Sequence, residues 1–133
     1  MQNEYAEILK ALQLYFDGFY NGDIAMLKRI FHPACHLSNA SENKLAHDDM
    51  DTVYARVAGR VSPAKNGEQR RDAILGIDVS SPVSALARVQ IAIGPRLFTD
   101  YLNLLKIDGE WRIIAKVFSW VTLQAATQAR AAE

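Results

Sequence analysis

The sequence has one cysteine, no excess of either charge and no long apolar run. With Cys35 alone, no disulfide can form within the chain, which is typical of a protein from a reducing cytoplasm. The 15 basic residues are balanced by 15 acidic ones, which argues against nucleic acid or anionic lipid as the main partner. No apolar stretch approaches the ~20 residues of a membrane span, and the first residues lack a signal-peptide pattern. We therefore expect a cytoplasmic protein that binds neither nucleic acid nor membrane.

Length and composition predict one domain. Half of the 133 residues are apolar and 23% are charged, which is the balance of a globular protein and not of a disordered one. A chain of this length buries roughly two-thirds of its unfolded surface, enough for a core without disulfides or metal. We predict a single domain over residues 1–122 and a polar C-terminal tail over 123–133.

Apolar residues recur at helical spacing in the first part of the chain. The first segment carries one stripe at spacings of three and four: Tyr5, Ile8, Leu9, Leu12, Tyr15, Phe16 and Phe19. Gly22 suits the left-handed residue that follows a helix, and Asp23 can cap a second, short helix that His32 and Pro33 close.

A third helix follows two short strands. Alternation over residues 34–39 and a return over 44–46 indicate the strands. The acids that come next suit a helix N-terminus, with Asp48 or His47 as the cap, and the late Arg56 and Arg60 agree with the helix dipole. One face of this helix carries Met50, Val53, Tyr54 and Val57.

The second half of the chain reads as four strands of about ten residues each. They are Arg71–Ser80, Val83–Gly94, Leu97–Ile107 and Trp111–Thr122. Because the connections are short, the strands must form an antiparallel meander. Helices followed by long antiparallel strands predict an α+β fold, in which the N-terminal helices pack on a strongly curved sheet and leave a pocket between the layers.

Two stretches of sequence carry a resemblance to a known superfamily. Residues 19–23 (FYNGD) and 27–33 (LKRIFHP) resemble the opening of the nuclear transport factor 2-like fold, also called cystatin-like or ketosteroid isomerase-like. Residues 100–113 (DYLNLLKIDGEWRI) and 116–118 (KVF) are similar to its putative lumazine-binding branch. The resemblance implies a cone-shaped pocket and a homodimer. Because this fold hosts isomerases, dehydratases, cyclases and adaptors, it does not by itself imply one function.

The resemblance implies functional positions through the ketosteroid isomerases. Those enzymes use an aspartate base together with a tyrosine and a protonated aspartate that stabilise an enolate. The tyrosine corresponds to Tyr15 and the protonated aspartate to Asp100. The base position corresponds to Asn39, whose amide cannot abstract a proton near pH 7. No complete catalytic set is therefore present, and whether the chain is an enzyme stays open.

The residues themselves favour Asp100 as a functional group. Asp100 is predicted on the same strand face as Phe98 and Leu102. An apolar face is an unusual place for a carboxylate unless it forms an ion pair or has a functional role. The alternatives are that Tyr15 is ordinary core packing and that Asp100 is a solvated or ion-paired strand residue. Both residues are nonetheless our candidates for catalysis and for ligand binding.

Lys116 is a candidate partner of Asp100, subject to the register of the last hairpin. A two-residue Asp108-Gly109 loop pairs Asp100 with Val117 and puts Trp111 and Ile113 on the inner face. A three-residue loop with a bulge brings Phe118, Lys116 and Ile114 to that face instead, and the resemblance favours this second register.

The remaining candidates would line the pocket. They are Phe19, Asn39, Tyr54, Phe98 and Phe118, with Lys116 added by the second register. Trp120 is assigned to a subunit interface, because large aromatic side chains are enriched where subunits meet. His32 and His36 do not form a ligand set with plausible spacing, so we expect no metal site and no cofactor.

Three functions are compatible with these features. The first is a binding protein for an unidentified small molecule, held in a hydrophobic pocket with a few polar groups. The second is a cofactor-independent enzyme, of the isomerase, dehydratase or cyclase type, that uses Asp100 in general acid–base chemistry. The third is a dimeric protein-interaction module with a vestigial pocket, which the lone acid in an apolar stripe disfavours.

Overall fold

The computed structural model describes residues 2–124 and 126 as an α+β fold, in which three helices pack on one curved six-stranded sheet. The helices are α1 (Gln2–Asn21), α2 (Ile24–Ile30) and α3 (Met50–Gly59). The strands are β1 (His36–Asn39), β2 (Ala46–Asp49), β3 (Ala73–Ser81), β4 (Ser84–Ile93), β5 (Arg96–Ile107) and β6 (Glu110–Thr122). The tail predicted over 123–133 lies outside the described residues except for 123, 124 and 126. Within the described part, no helix is long and apolar enough to cross a membrane.

The sheet has the order β2-β1-β6-β5-β4-β3. The predicted meander is confirmed, since β3, β4, β5 and β6 are antiparallel neighbours in sequence order. The sequence did not predict that β1 joins the sheet beside β6, in parallel, with Leu37 opposite Lys116. This pairing places the β1–β2 hairpin and α3 at the same end of the sheet as the last half of β6.

The core lies between α1, α2 and the inner face of the sheet. Most of the predicted α1 stripe is buried, but Tyr5 and Leu9 are 42% and 48% exposed and belong to the solvent side of the helix. The junction between α1 and α2 is as predicted. Gly22 has a φ of 64°, and the Asp23 side chain accepts a hydrogen bond of 3.1 Å from the Met26 N–H.

The start of α3 differs from the prediction. Its cap is Asp49, whose Oδ1 accepts a hydrogen bond of 2.9 Å from the Thr52 N–H, and not Asp48 or His47. The reason is that β2 continues through Asp49, so His47 and Asp48 are paired with β1 as strand residues. The Asp48 carboxylate is thereby free to pair with Arg56 on α3.

The last hairpin combines features of both predicted registers. Asp108 and Gly109 form the two-residue loop, with positive φ at both, and Trp111 and Ile113 face inward as that loop requires. A β-bulge then follows at Ile114, because Asn103 pairs with Ala115 while Leu104 pairs with Ile113. The extra residue is therefore in the strand and not in the loop.

The bulge reverses the side-chain alternation of β6 between its two halves. Beyond it, Asp100 lies opposite Phe118, and Lys116 turns inward and is only 5% exposed. A lysine is thereby brought into a core that the first half of the same strand fills with apolar side chains.

Candidate functional site

Three polar side chains from three elements meet inside the apolar core. Tyr15 of α1 donates a hydrogen bond of 2.5 Å to Asp100 Oδ2 of β5, and the Lys116 ammonium of β6 lies 3.7 Å from the same oxygen. Tyr15 and Asp100 are fully buried. The candidate pairing of Lys116 with Asp100 is therefore present, and Asp100 is an ion-paired residue rather than a solvated one.

Burial dominates the electrostatics of this trio. It raises the pKa of Tyr15 well above the usual range, and the negative charge of Asp100 raises it further. Burial also lowers the pKa of Lys116, while the charge of Asp100 opposes that change. The second carboxylate oxygen, Asp100 Oδ1, makes no hydrogen bond to the described residues.

The Lys116 ammonium is also surrounded by aromatic rings. Its Nζ lies 5.1 Å from the ring centre of Tyr15 and 4.9 Å from each of the rings of Phe19 and Phe118. Cation–π contacts of this kind stabilise a desolvated ammonium by up to about 2 kcal/mol. They compensate part of the cost of burying it.

A cavity of about 250 Å³ opens above Lys116, between the β1–β2 hairpin, α3 and the inner face of the sheet. Its apolar wall consists of Phe19, Leu37, Ala46, Val53, Val57, Ile91, Ile93, Phe98, Phe118 and Trp120. Its polar wall consists of Asn39, Glu42, Lys44, Asp48, Arg56, Arg60, Arg96 and Lys116. Lys116 is the buried charge at its base, whereas Glu42, Lys44, Arg56 and Arg96 are exposed at its mouth.

Five of the predicted site residues line this cavity: Phe19, Asn39, Phe98, Lys116 and Phe118. Tyr15 and Asp100 are not on its wall; they lie behind Lys116, so a ligand in the cavity meets the ammonium and not the carboxylate. The Oδ1 of Asn39 accepts a hydrogen bond of 3.1 Å from the Ser41 N–H, so this oxygen shapes the β1–β2 turn.

The predicted position of Tyr54 is wrong. Its ring lies 5.4 Å from the Lys28 ammonium of α2 and is not part of the cavity wall. Val53 and Val57 are one turn apart on α3 and face the cavity, and the residue after Val53 is rotated by about 100° around the helix. Tyr54 is therefore turned towards α2.

The cationic part of the wall is not predicted from the sequence. Arg60 follows Val53 and Val57 at helical spacing, a signal that would have placed it on the same face, but it was assigned only to the helix dipole. Trp120, assigned to an interface, lines the cavity, and the Arg96 guanidinium lies 3.8 Å from the centre of its ring. Nothing in the sequence pattern of β5 indicates that contact.

Cys35 is a buried free cysteine of the core. Burial raises the pKa of its thiol to about 12, an effect that the positive charge of Lys116 partly opposes. Among residues 2–124 and 126, no three His, Cys, Asp or Glu side chains are grouped so that they could hold a metal ion.

The fold and its internal cavity define the class as nuclear transport factor 2-like. The structure superposes on such a protein of unknown function from Shewanella baltica with a TM-score of 0.80 and 25% identity, covering 90% of this chain and 94% of that one. A ketosteroid isomerase-like protein from Erwinia carotovora gives a TM-score of 0.71 at 18% identity, covering 92% and 99% of the two chains.

Within that class, a model of the family described as putative lumazine-binding matches residues 3–119. The chain belongs to this family. A curated relative, Aldolase FrzH from a Cladobotryum species, is 21% identical over 118 residues, which cover 87% of this chain and 90% of that protein.

Proposed function

We propose that the protein binds a small, mostly apolar molecule in the cavity above Lys116. The observation that carries the proposal is the cavity itself, about 250 Å³ of space with the rings of Phe98 and Phe118 on its wall and one buried ammonium at its base. Apolar cavities of about 150 Å³ bind benzene, so this one suits a compact ring system. Membership of a family described as putative lumazine-binding also supports ligand binding.

An uncharged fluorescent probe, N-phenyl-1-naphthylamine, tests this proposal. We expect it to bind with a fluorescence increase, and we expect the Ala46→Phe variant to bind it at least ~10-fold more weakly, because the new ring fills the cavity that Ala46 lines. Ala6→Phe, on the exposed side of α1, is the control and should bind like the wild type. Equal binding by all three proteins would contradict the proposal, as would no binding by the wild type.

A second candidate is proton transfer at a carbon next to a carbonyl group, favoured by the aldolase relative and by the position of Lys116. In this mechanism the neutral amine of Lys116 takes the proton, and the electrons of the broken C–H bond pass into an enolate. The ammonium that results would stabilise the enolate oxygen, while Asp100 and Tyr15 act through Lys116 as positioning residues. The lowered pKa of Lys116 favours the neutral amine that this step needs.

Deuterium exchange into cyclohexanone, followed by loss of its α-proton NMR signal in D2O, tests this second candidate. We expect exchange faster than in buffer alone, rising with pH as Lys116 loses its proton, and absent in Lys116→Met. Lys106→Met is the control, because Lys106 pairs with Glu7 away from the cavity. Exchange at the buffer rate with the wild-type protein would remove this candidate and leave ligand binding intact.

The homodimer expected from the family resemblance stays a prediction. We propose the outer face of the sheet as its interface. Tyr101 and Val117 are paired across β5 and β6 there and are 49% and 53% exposed. An exposed apolar patch of this kind is typical of a surface that another chain covers.

A further inference from the structure

We propose that the ligand is an organic anion, an apolar ring system that carries a carboxylate or a similar oxyanion, and that Arg60 binds the charged group. This inference rests on the proposed function and specifies the class of molecule that the cavity accepts. It is carried by an arginine on the cavity wall that has a buried nitrogen without a hydrogen-bond partner among the described residues.

Arg60 is held on the cavity wall by the end of α3. Its backbone N–H caps the helix by donating to the Val57 carbonyl, and its side chain lines the cavity. Its Nη2 is buried and has no hydrogen-bond partner in the described part of the chain. A buried donor without an acceptor is destabilising, and for a charged group the cost is larger.

The neighbouring acids do not satisfy this guanidinium. The charge of Glu68 acts on Arg60, but its Oε1 accepts a hydrogen bond from the Gly94 N–H and its Oε2 one from Asn66 Nδ2, each of 2.8 Å. Each Glu68 oxygen therefore already accepts one hydrogen bond, one from the β4–β5 turn and one from the loop that precedes β3.

Asp48, one of the two acids on the cavity wall, is also paired. Asp48 lies on the same cavity wall, and its Oδ2 accepts a hydrogen bond of 2.5 Å from Arg56. The positive charge of Arg56, together with the larger effect of burial, lowers the pKa of Arg60, which nevertheless stays protonated as arginines do. The cavity therefore contains a fixed positive charge.

The cavity wall as a whole, like Arg60, carries a positive charge. With the Arg56–Asp48 and Lys116–Asp100 pairs set aside, three cations remain on it, Lys44, Arg60 and Arg96, and one acid, Glu42. A planar guanidinium presents two parallel donors that match a carboxylate or another oxyanion. The rings of Phe98 and Phe118, whose centres are 5.8 Å apart, offer an apolar surface on the same wall.

Two probes that differ by one charged group test the inference. They are the neutral N-phenyl-1-naphthylamine and its 8-sulfonate, whose sulfonate stands for the oxyanion. We expect the wild type to bind the sulfonate more tightly than the neutral probe. Arg60→Gln should weaken sulfonate binding by about 10- to 100-fold and change binding of the neutral probe by less than about 3-fold.

Three further measurements separate binding from a structural role. Arg60→Lys keeps the charge but not the planar fork, so it should restore part of the lost affinity. Arg71→Gln removes an exposed arginine that does not line the cavity and should bind both probes like the wild type. The ligand-free Arg60→Gln protein should unfold at the same temperature as the wild type or higher, because its buried donor had no partner.

The outcomes are distinguishable from those of the proposed function. If the neutral probe binds the wild type and Arg60→Gln leaves sulfonate binding unchanged, the anion inference is wrong and ligand binding stands. A marked loss of stability in Arg60→Gln would assign the arginine a structural partner and would also overturn the inference. If neither probe binds the wild type, both proposals fall.

Discussion

The Lys116→Met variant is expected to lose about 3–5 kcal/mol of unfolding free energy, the cost of leaving one member of a buried ion pair without the other. The expectation follows from the position of Asp100, which is fully buried and lies 3.7 Å from the Lys116 ammonium. Among the described residues it has no other ion-pair partner, and its Oδ1 accepts no hydrogen bond there. Urea unfolding at pH 7 measures the loss. A loss of this size is a large part of the stability of an ordinary domain.

Two further variants determine whether the unpaired charge of Asp100 causes the loss of stability in Lys116→Met. Lys106→Met removes a lysine whose partner Glu7 is 43% exposed, so its effect should stay below about 1 kcal/mol. The double variant Asp100→Asn, Lys116→Met removes both charges of the buried pair and should recover most of the stability. If it unfolds as easily as Lys116→Met alone, the loss comes from packing and not from an unpaired carboxylate.

Tyr15→Phe is expected to cost about 1.5–3 kcal/mol, the usual contribution of a hydrogen bond to a charged group. The substitution removes only the hydroxyl that donates to Asp100 Oδ2, so the shape of the aromatic cluster around it is kept. Thermal or urea unfolding measures the loss. Tyr5→Phe, on the exposed side of α1, removes a hydroxyl in the same helix and should change stability by less than about 0.5 kcal/mol.

The pH dependence of the stability difference between the wild type and Tyr15→Phe is a second, independent test of the Tyr15–Asp100 hydrogen bond. The pKa of Tyr15 is raised in the folded state, so the wild type keeps this proton above pH 10 while the unfolded chain releases it. The stabilisation associated with the Tyr15 hydroxyl is therefore fully present below pH 10 and is lost as the pH rises further. The difference between the wild type and Tyr15→Phe should narrow above pH 10, and a difference that stays constant would contradict the buried hydrogen bond.

Patterns between residues close in the sequence were sufficient to predict most helices and strands and to indicate that Asp100 lies on an apolar strand face. Helical spacing and turn residues placed α1, α2 and the four-stranded meander, because each is determined by neighbours close in the chain. The apolar phase of β5 indicated that Asp100 is either paired or functional, and the structure pairs it with Lys116 and Tyr15. The family resemblance contributed the long-range part of that prediction.

The parts that sequence rules missed depend on contacts between distant segments. One of the two predicted registers contains a bulge, but its position at Ile114 is determined by how β6 fits against β5, and no turn residue marks it. The parallel pairing of β1 with β6 is likewise long-range. Arg60 was misjudged for a different reason, since a basic residue at the end of a helix has an adequate local explanation in the helix dipole.

The bulge at Ile114 also divides β6 into one half that packs in the core and a second half that lines the cavity. Trp111 and Ile113, before it, are apolar anchors for the helices, whereas Lys116 and Phe118, after it, face the cavity. Because the change of phase occurs between them, Phe118 lines the cavity while Trp111 and Ile113 stay buried in the core. One strand thereby contributes to both the helix-packed core and the cavity wall, which an unbroken alternation of side chains would not allow.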